Sequence, residues 1–198
     1  MERNLNEIQI DALKEVGNIG SGNAATALSQ MLNKKIDMTV PKVNILPFET
    51  TIEEAGKEEE PVIAVMLKVY GDAPGNILFV MNNETAKDIT KMLLAGFDDV
   101  TEDIYISAYQ EIGNIMGNSY INAISRLTGL SLLTSVPAIT MDMLGAILSS
   151  TFLDAEQYSD YVLSIDTNFI QDGTEKETNF FFIPKPGSLK KILNNLGL

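Results

Sequence analysis

No cysteine, histidine or tryptophan occurs in the 198 residues of this chain. Without cysteine there is neither a disulfide nor a thiol nucleophile. Without histidine there is no Ser-His-Asp triad, no Cys-His pair and no imidazole base, and the commonest zinc ligands are missing. Positive charge is also scarce: Lys and Arg number 14 against 27 Asp and Glu, for a net charge of −13. Binding to nucleic acid requires a basic patch, so nucleic acid is not an expected partner. A small anionic substrate would have to bring its own cation or positive pocket. No apolar run reaches the ~18 residues needed to enter and cross a membrane. The opening Met1-Glu2-Arg3-Asn4 does not read as a signal peptide, so the expected location is the cytoplasm. The 45% hydrophobic and 21% charged residues are those of a globular protein with ample length for a core.

What the chain does contain is a repeat. Ile8 to Pro41 runs against Ile104 to Pro137 without a gap, at a constant offset of 96 (111 − 15). Identities include Ala12/Ala108, Glu15/Glu111, Gly17/Gly113, Asn18/Asn114, Ser29/Ser125 and Val40/Val136. Both copies predict a helix. At about 100° per residue, Glu15 and Asn18 fall roughly 40° and 20° to either side of Asp11, with Gly22 between them. Ser107, Glu111, Asn114 and Asn118 occupy the same angles. Each helix is thus an apolar cylinder with one narrow polar strip. Gly17 and Gly113 lie on the apolar side, where glycine costs about 1 kcal/mol against alanine, and close approach of a partner backbone is the expected reason. An ordinary solvated face would account for either strip alone. The strips stand out because Glu and Asn persist in both copies while neighbours drift: Asp37 faces Leu133, and Thr26 faces Asn122.

The remaining pattern predicts an α/β protein. Residues 6–33 read as helix, with a break expected at Gly20-Ser21-Gly22. That triplet is no phosphate loop, because no strand precedes it and no Gly-Lys-Ser/Thr follows. Alternation predicts a strand over 36–46, with Pro41 marking an edge or bulge. Residues 53–60 read as an acidic loop or short helix. Strands over 62–70 and 77–81 form a hairpin across Gly71-Asp72-Ala73-Pro74-Gly75, and a helix follows over 83–95, stopped by Gly96. The second half repeats the plan: helix 103–127 ended by Gly129, strand 131–140 carrying Pro137, an apolar helix over 141–152, strands 161–169 and 178–183 joined across Gln171-Asp172-Gly173-Thr174, and a final helix 189–196. The expected architecture is a single domain of two repeats, about 6–98 and 102–197. One continuous, mainly antiparallel sheet has pseudo-two-fold symmetry, with both motif helices on one face.

A carboxylate and an amide one helical turn apart are not a glycosidase pair, which needs two carboxyls. A metal site from Asp11, Glu15 and Asn18 is weakened by Ser107 in the second copy. An amide can instead accept a proton from water while donating to a phosphoryl oxygen, aligning water for in-line attack. A glutamate beside it can pair with a partner's lysine and fix the register. Such a protein inserts residues into a site that another protein supplies.

The pattern Asp/Ser-x3-Glu-x2-Asn-x22-Pro occurs twice, as Asp11, Glu15, Asn18, Pro41 and as Ser107, Glu111, Asn114, Pro137. It resembles the CheC/CheX/FliY family of bacterial chemotaxis phosphatases over essentially the whole chain. The resemblance implies dephosphorylation of phosphorylated CheY and binding to the receptor deamidase CheD. It assigns water positioning to Asn18 and Asn114 and contact with the regulator's lysine to Glu15 and Glu111. It implies no cofactor or metal of the chain's own, with Mg2+ on the partner regulator, and a monomer or a heterodimer with CheD. The competing readings are a non-catalytic chemotaxis or flagellar-switch adaptor and a self-contained metal-dependent hydrolase. Outside the motifs, Asp142 interrupts the apolar run 138–148. It is either the end of a core helix or part of an exposed patch that CheD covers.

Overall fold

Asn6 starts the first helix through a reciprocal cap: its side chain accepts from Gln9 N (2.9 Å), and Gln9 Oε1 accepts from Asn6 N (3.1 Å). The computed structural model describes residues 5–94, 101–154, 161–171 and 173–198. Helix α1 (Glu7–Leu32) ends at Asn33 in the left-handed region and leads into β1 (Asp37–Pro47), α2 (Phe48–Ala55), β2 (Pro61–Gly71), β3 (Gly75–Asn82) and α3 (Asn83–Leu93). The second half follows the same order: α4 (Glu102–Thr128), β4 (Leu132–Thr134), β5 (Ala138–Met143), α5 (Leu144–Asp154), β6 (Tyr161–Gln171), β7 (Thr174–Pro184) and α6 (Ser188–Asn195). The expected helix stop at Ala95-Gly96 and the turn residue Asp172 lie outside the described residues.

The strands make one seven-stranded sheet in the order β1-β6-β7-β3-β2-β4, with β5 also on β2, and every pairing is antiparallel. Its centre is the pair β3–β7, where Leu78 faces Phe181. A pseudo-two-fold axis runs through this point, normal to the sheet. The hairpins β2–β3 and β6–β7 flank it. The outer strands are exchanged: β1 of the first repeat lies on β6 of the second, and β4 and β5 of the second lie on β2 of the first. Both prolines sit at interruptions of these edge strands. The β1 register shifts between Thr39 and Lys42, on either side of Pro41. At Pro137 the expected single strand is divided into β4 and β5. Lacking an N–H, proline cannot donate to the ladder, and an edge is where that loss is tolerated.

The central strands are apolar on both sides because both faces are covered. Ile77, Phe79, Phe180 and Phe182 point into a core shared with α1, α3, α4 and α6. Leu78, Val80, Phe181 and Ile183 alternate onto the other face, against Leu144, Ile147 and Leu148 of α5 and Ile52 of α2. The two motif helices share one face, as the repeat predicts, and the second helical layer was not anticipated. Met141 and Met143, expected in a helix, belong to β5, and α5 begins only at Leu144. Likewise α2 starts at Phe48, ahead of the acidic segment.

The pseudo-two-fold sets α1 and α4 antiparallel, with Leu13 and Val16 beside Ile121 and Ile124. No break occurs at Gly20-Ser21-Gly22: α1 is continuous, and Gly20 lies close against α4. A methyl group there would meet the Tyr120 ring at 2.6 Å and its Cα at 3.1 Å. Tyr120 is 1% exposed, stacks on Phe180 at 4.0 Å between centroids, and shares a 3.1 Å hydrogen bond with Thr167 Oγ1. Burial pushes its phenol up to about 12 from 10.0. The folded state keeps the phenol neutral where an unfolded chain would ionise. Its contribution to stability is therefore complete below pH 10 and is lost as pH rises towards about 12. Melting temperatures measured across that window should fall in the native chain and fall less steeply in Tyr120→Phe. That variant should also be less stable at neutral pH by about 1 kcal/mol, for the lost hydrogen bond.

Candidate functional site

Each polar strip is presented by a helix anchored through its opposite side. In α1 the buried residues are Leu13, Val16, Gly17, Gly20, Ser21, Ala24, Ala25 and Leu28. Asp11, Glu15, Asn18 and Gly22 are exposed. In α4 Ile112, Gly113, Met116 and Tyr120 are buried, Ser107 and Glu111 are exposed, and Asn114 and Asn118 are half-buried. The structure thus places all four predicted Glu and Asn residues on the outer surface of the helical layer. It brings each Glu to the Asn of its own helix.

The side chains of Glu15, Asn18 and Glu111 make no hydrogen bond or ion pair with any described residue. Asp11 is likewise unpaired among them. Ser107, its counterpart, turns its hydroxyl back to Asp103 O at 2.9 Å. Among the described residues no group of three acidic side chains is arranged to hold a metal ion.

The two sites differ at their amides. Asn118 Nδ2 donates to Asn114 Oδ1 at 2.7 Å and to the Asn114 main-chain oxygen at 2.8 Å. Thr134 Oγ1, on β4, donates to Asn118 Oδ1 at 2.8 Å. The corresponding positions beside Asn18 are Gly22 and Met38, which can do neither. Asn118 was visible in the sequence as part of the strip, although nothing there gave it a role. Thr134 carried no sequence signal, because its contact crosses from a strand to a helix. Pro41 and Pro137 are not part of either strip; they shape the strand edges. Asp142 lies exposed on β5, its carboxylate accepting from Met143 N at 2.8 Å, between the exposed Met141 and Met143.

Comparison with known proteins gives the family and the fold. The family model of the CheC-like family matches residues 8–45, and that of the chemotaxis phosphatase CheX matches residues 62–154. The CheY-P phosphatase CheC of Bacillus subtilis is 34% identical, over 98% of this chain and 96% of its own length. The flagellar motor switch phosphatase FliY of the same organism is 32% identical over 69% of this chain and 36% of its own length. Among solved structures, Thermotoga maritima FliY has a TM-score of 0.80 at 20% identity and covers 98% of both chains. The FliM middle domain of H. pylori has a TM-score of 0.71 at 8% identity, over 96% of this chain and 99% of that one. The fold is thus the pseudo-symmetric α/β fold of FliY and the FliM middle domain, here with a Glu–Asn strip on each long helix. The chain belongs to the CheC-like family of chemotaxis phosphatases. No helix among the described residues is long and apolar enough to cross a membrane.

Proposed function

We propose that this chain hydrolyses the aspartyl phosphate of phosphorylated CheY by inserting a Glu–Asn strip into the regulator's own site. The observation that carries this reading is the pair of outward-facing Glu–Asn strips in a chain so similar, end to end, to a CheY-P phosphatase. An acyl phosphate has a carboxylate leaving group, so its hydrolysis does not demand a strong base. A chain without histidine or cysteine is compatible with that chemistry.

On this reading the Asn18 or Asn114 carboxamide accepts a hydrogen bond from water through Oδ1 and donates through Nδ2 to a phosphoryl oxygen. The water is then held in line with the P–O bond to the aspartate. Water attacks phosphorus, that bond breaks, and inorganic phosphate and a free carboxylate result. Glu15 or Glu111 pairs with a lysine of the regulator and fixes the register of docking. Mg2+ belongs to the regulator in this scheme, and no residue of this chain is assigned to it. The deciding experiment is phosphate release with and without a phosphorylated response regulator. Release that requires the regulator supports the proposal. Release from a small phosphomonoester alone would indicate a self-contained hydrolase, and none from either would indicate an adaptor.

CheD is the proposed second partner, with this chain a monomer or a heterodimer with it. The edge strand β5 suits docking: Met141 and Met143 are about half exposed and flank the charge of Asp142. Reversing that charge in Asp142→Lys is expected to weaken CheD binding on the order of tenfold, with phosphate release unaltered. Equal loss of both in titration and turnover assays would mean a folding defect instead.

A further inference from the structure

We propose that Asn118 is a positioning residue of the α4 site, and that Thr134 holds it in place. This inference rests on the reading of Asn114 as the amide that aligns water. A free carboxamide presents its oxygen and nitrogen in either of two orientations related by a half-turn. Only one of these offers oxygen to the water and nitrogen to the phosphoryl group.

At the α4 site a directional chain of hydrogen bonds selects the orientation. The Asn114 main-chain oxygen can only accept, so the end of the Asn118 amide facing it is its NH2 group, and the Thr134 hydroxyl donates to the other end, Asn118 Oδ1, at 2.8 Å. That NH2 donates to Asn114 Oδ1 at 2.7 Å and is steadied by the Asn114 main-chain oxygen at 2.8 Å. Asn114 Oδ1 keeps a second lone pair for water, and its Nδ2 makes no hydrogen bond to a described residue. The orientation is thereby set before any partner docks. At the α1 site Gly22 and Met38 replace the two holding residues, and Asn18 must be oriented by the partner itself. Preorganisation of this kind lowers the barrier to the chemical step more than it strengthens binding.

The test uses the full chain with one site silenced. In an Asn18→Ala background only the α4 site remains. Asn118→Asp keeps the shape but reverses the bond, since a carboxylate accepts from Asn114 Nδ2 and turns the amide the wrong way. It should lower kcat about tenfold or more with KM little changed. Thr134→Val should lower kcat by a smaller factor, and Thr134→Ser should restore it. Unchanged kcat for Asn118→Asp, or a change confined to KM, overturns the proposal. An Asn114→Ala background leaves Asn118 no side-chain amide to orient, so an equal loss there would show that Asn118 acts through the fold and would also overturn it. The Asn18→Ala, Asn114→Ala double variant is the separate check on the amide reading itself. If it still turns over, that reading fails whatever Asn118 does.

Discussion

Replacing both Asn18 and Asn114 by aspartate is expected to leave a folded protein that still recognises the phosphorylated regulator and releases phosphate slower by ~10²–10³-fold. That range is the usual cost of removing a positioned hydrogen-bond donor from a reacting site. Aspartate matches asparagine in shape. It has no proton to donate, and its charge would face the phosphoryl group under attack. Asn18 is exposed, and at position 114 aspartate keeps an oxygen that can accept from Asn118 as Asn114 does. Each single Asn→Ala variant should keep partial activity and the double variant should lose it. Full loss from one single change in a folded protein would show that one site does all the work. Glu15→Ala and Glu111→Ala should act differently, raising KM as well, because a glutamate paired with the partner's lysine is already engaged on binding. Steady-state kinetics on phosphorylated regulator separate the two classes. Near-normal turnover by the double aspartate variant would reduce the asparagines to polar helix-face residues.

The same substitution at equivalent glycines is expected to move stability in opposite directions. Gly17 and Gly113 each precede a motif asparagine, and both helices would gain about 1 kcal/mol from alanine on propensity alone. At Gly17 an added methyl finds Val40 at 3.4 Å and Ile165 at 3.5 Å, which is ordinary contact. At Gly113 it would lie 2.6 Å from Val65 Cβ and closer still to Val65 Cγ1. Val65 is fully buried in β2 and branched at Cβ, so it has no room to turn aside. Overpacking of this kind costs about 1–3 kcal/mol. Gly17→Ala should therefore be neutral or more stable, and Gly113→Ala less stable with a melting temperature several degrees lower. Urea or thermal unfolding measures both. Adding Val65→Ala to Gly113→Ala should cost less than Val65→Ala does in the native chain, since the two groups compete for one space. An equal response at both glycines would refute this account.

These glycines also mark how far the sequence could be read. Their place on the apolar side of each helix was legible from the period, and so was the need for something close. What approaches was not: at Gly17 and Gly113 it is valine and isoleucine side chains of the sheet rather than a partner backbone, and the neighbouring helix comes close at Gly20 instead. The repeat revealed the two strips, because Glu15/Glu111 and Asn18/Asn114 share one offset and one helical face. It also foretold the shared sheet. The second layer was hidden because α2 and α5 carry no matching motif, and the apolar run at 138–148, interrupted by Asp142 without a clear period, conceals the change from strand to helix at Leu144. A run without periodicity reads equally as a buried strand or a buried helix. Thr134 was beyond reach for a further reason. Its partner Asn118 is 16 positions earlier on another element, and pairings of that sort exist only once the chain has folded.

The exchange of outer strands carries a consequence for where such a chain came from. A half-length chain with one repeat would hold a hairpin lacking its outer strand and an outer strand lacking its hairpin. Two such chains turned about a two-fold axis would complete one another and form a closed homodimer. In that dimer every substitution falls on both Glu–Asn strips at once, so neither can be altered alone. Joining the two copies end to end preserves the sheet and removes the constraint. Each strip can then change separately, as Gly22 and Met38 in one half against Asn118 and Thr134 in the other already differ.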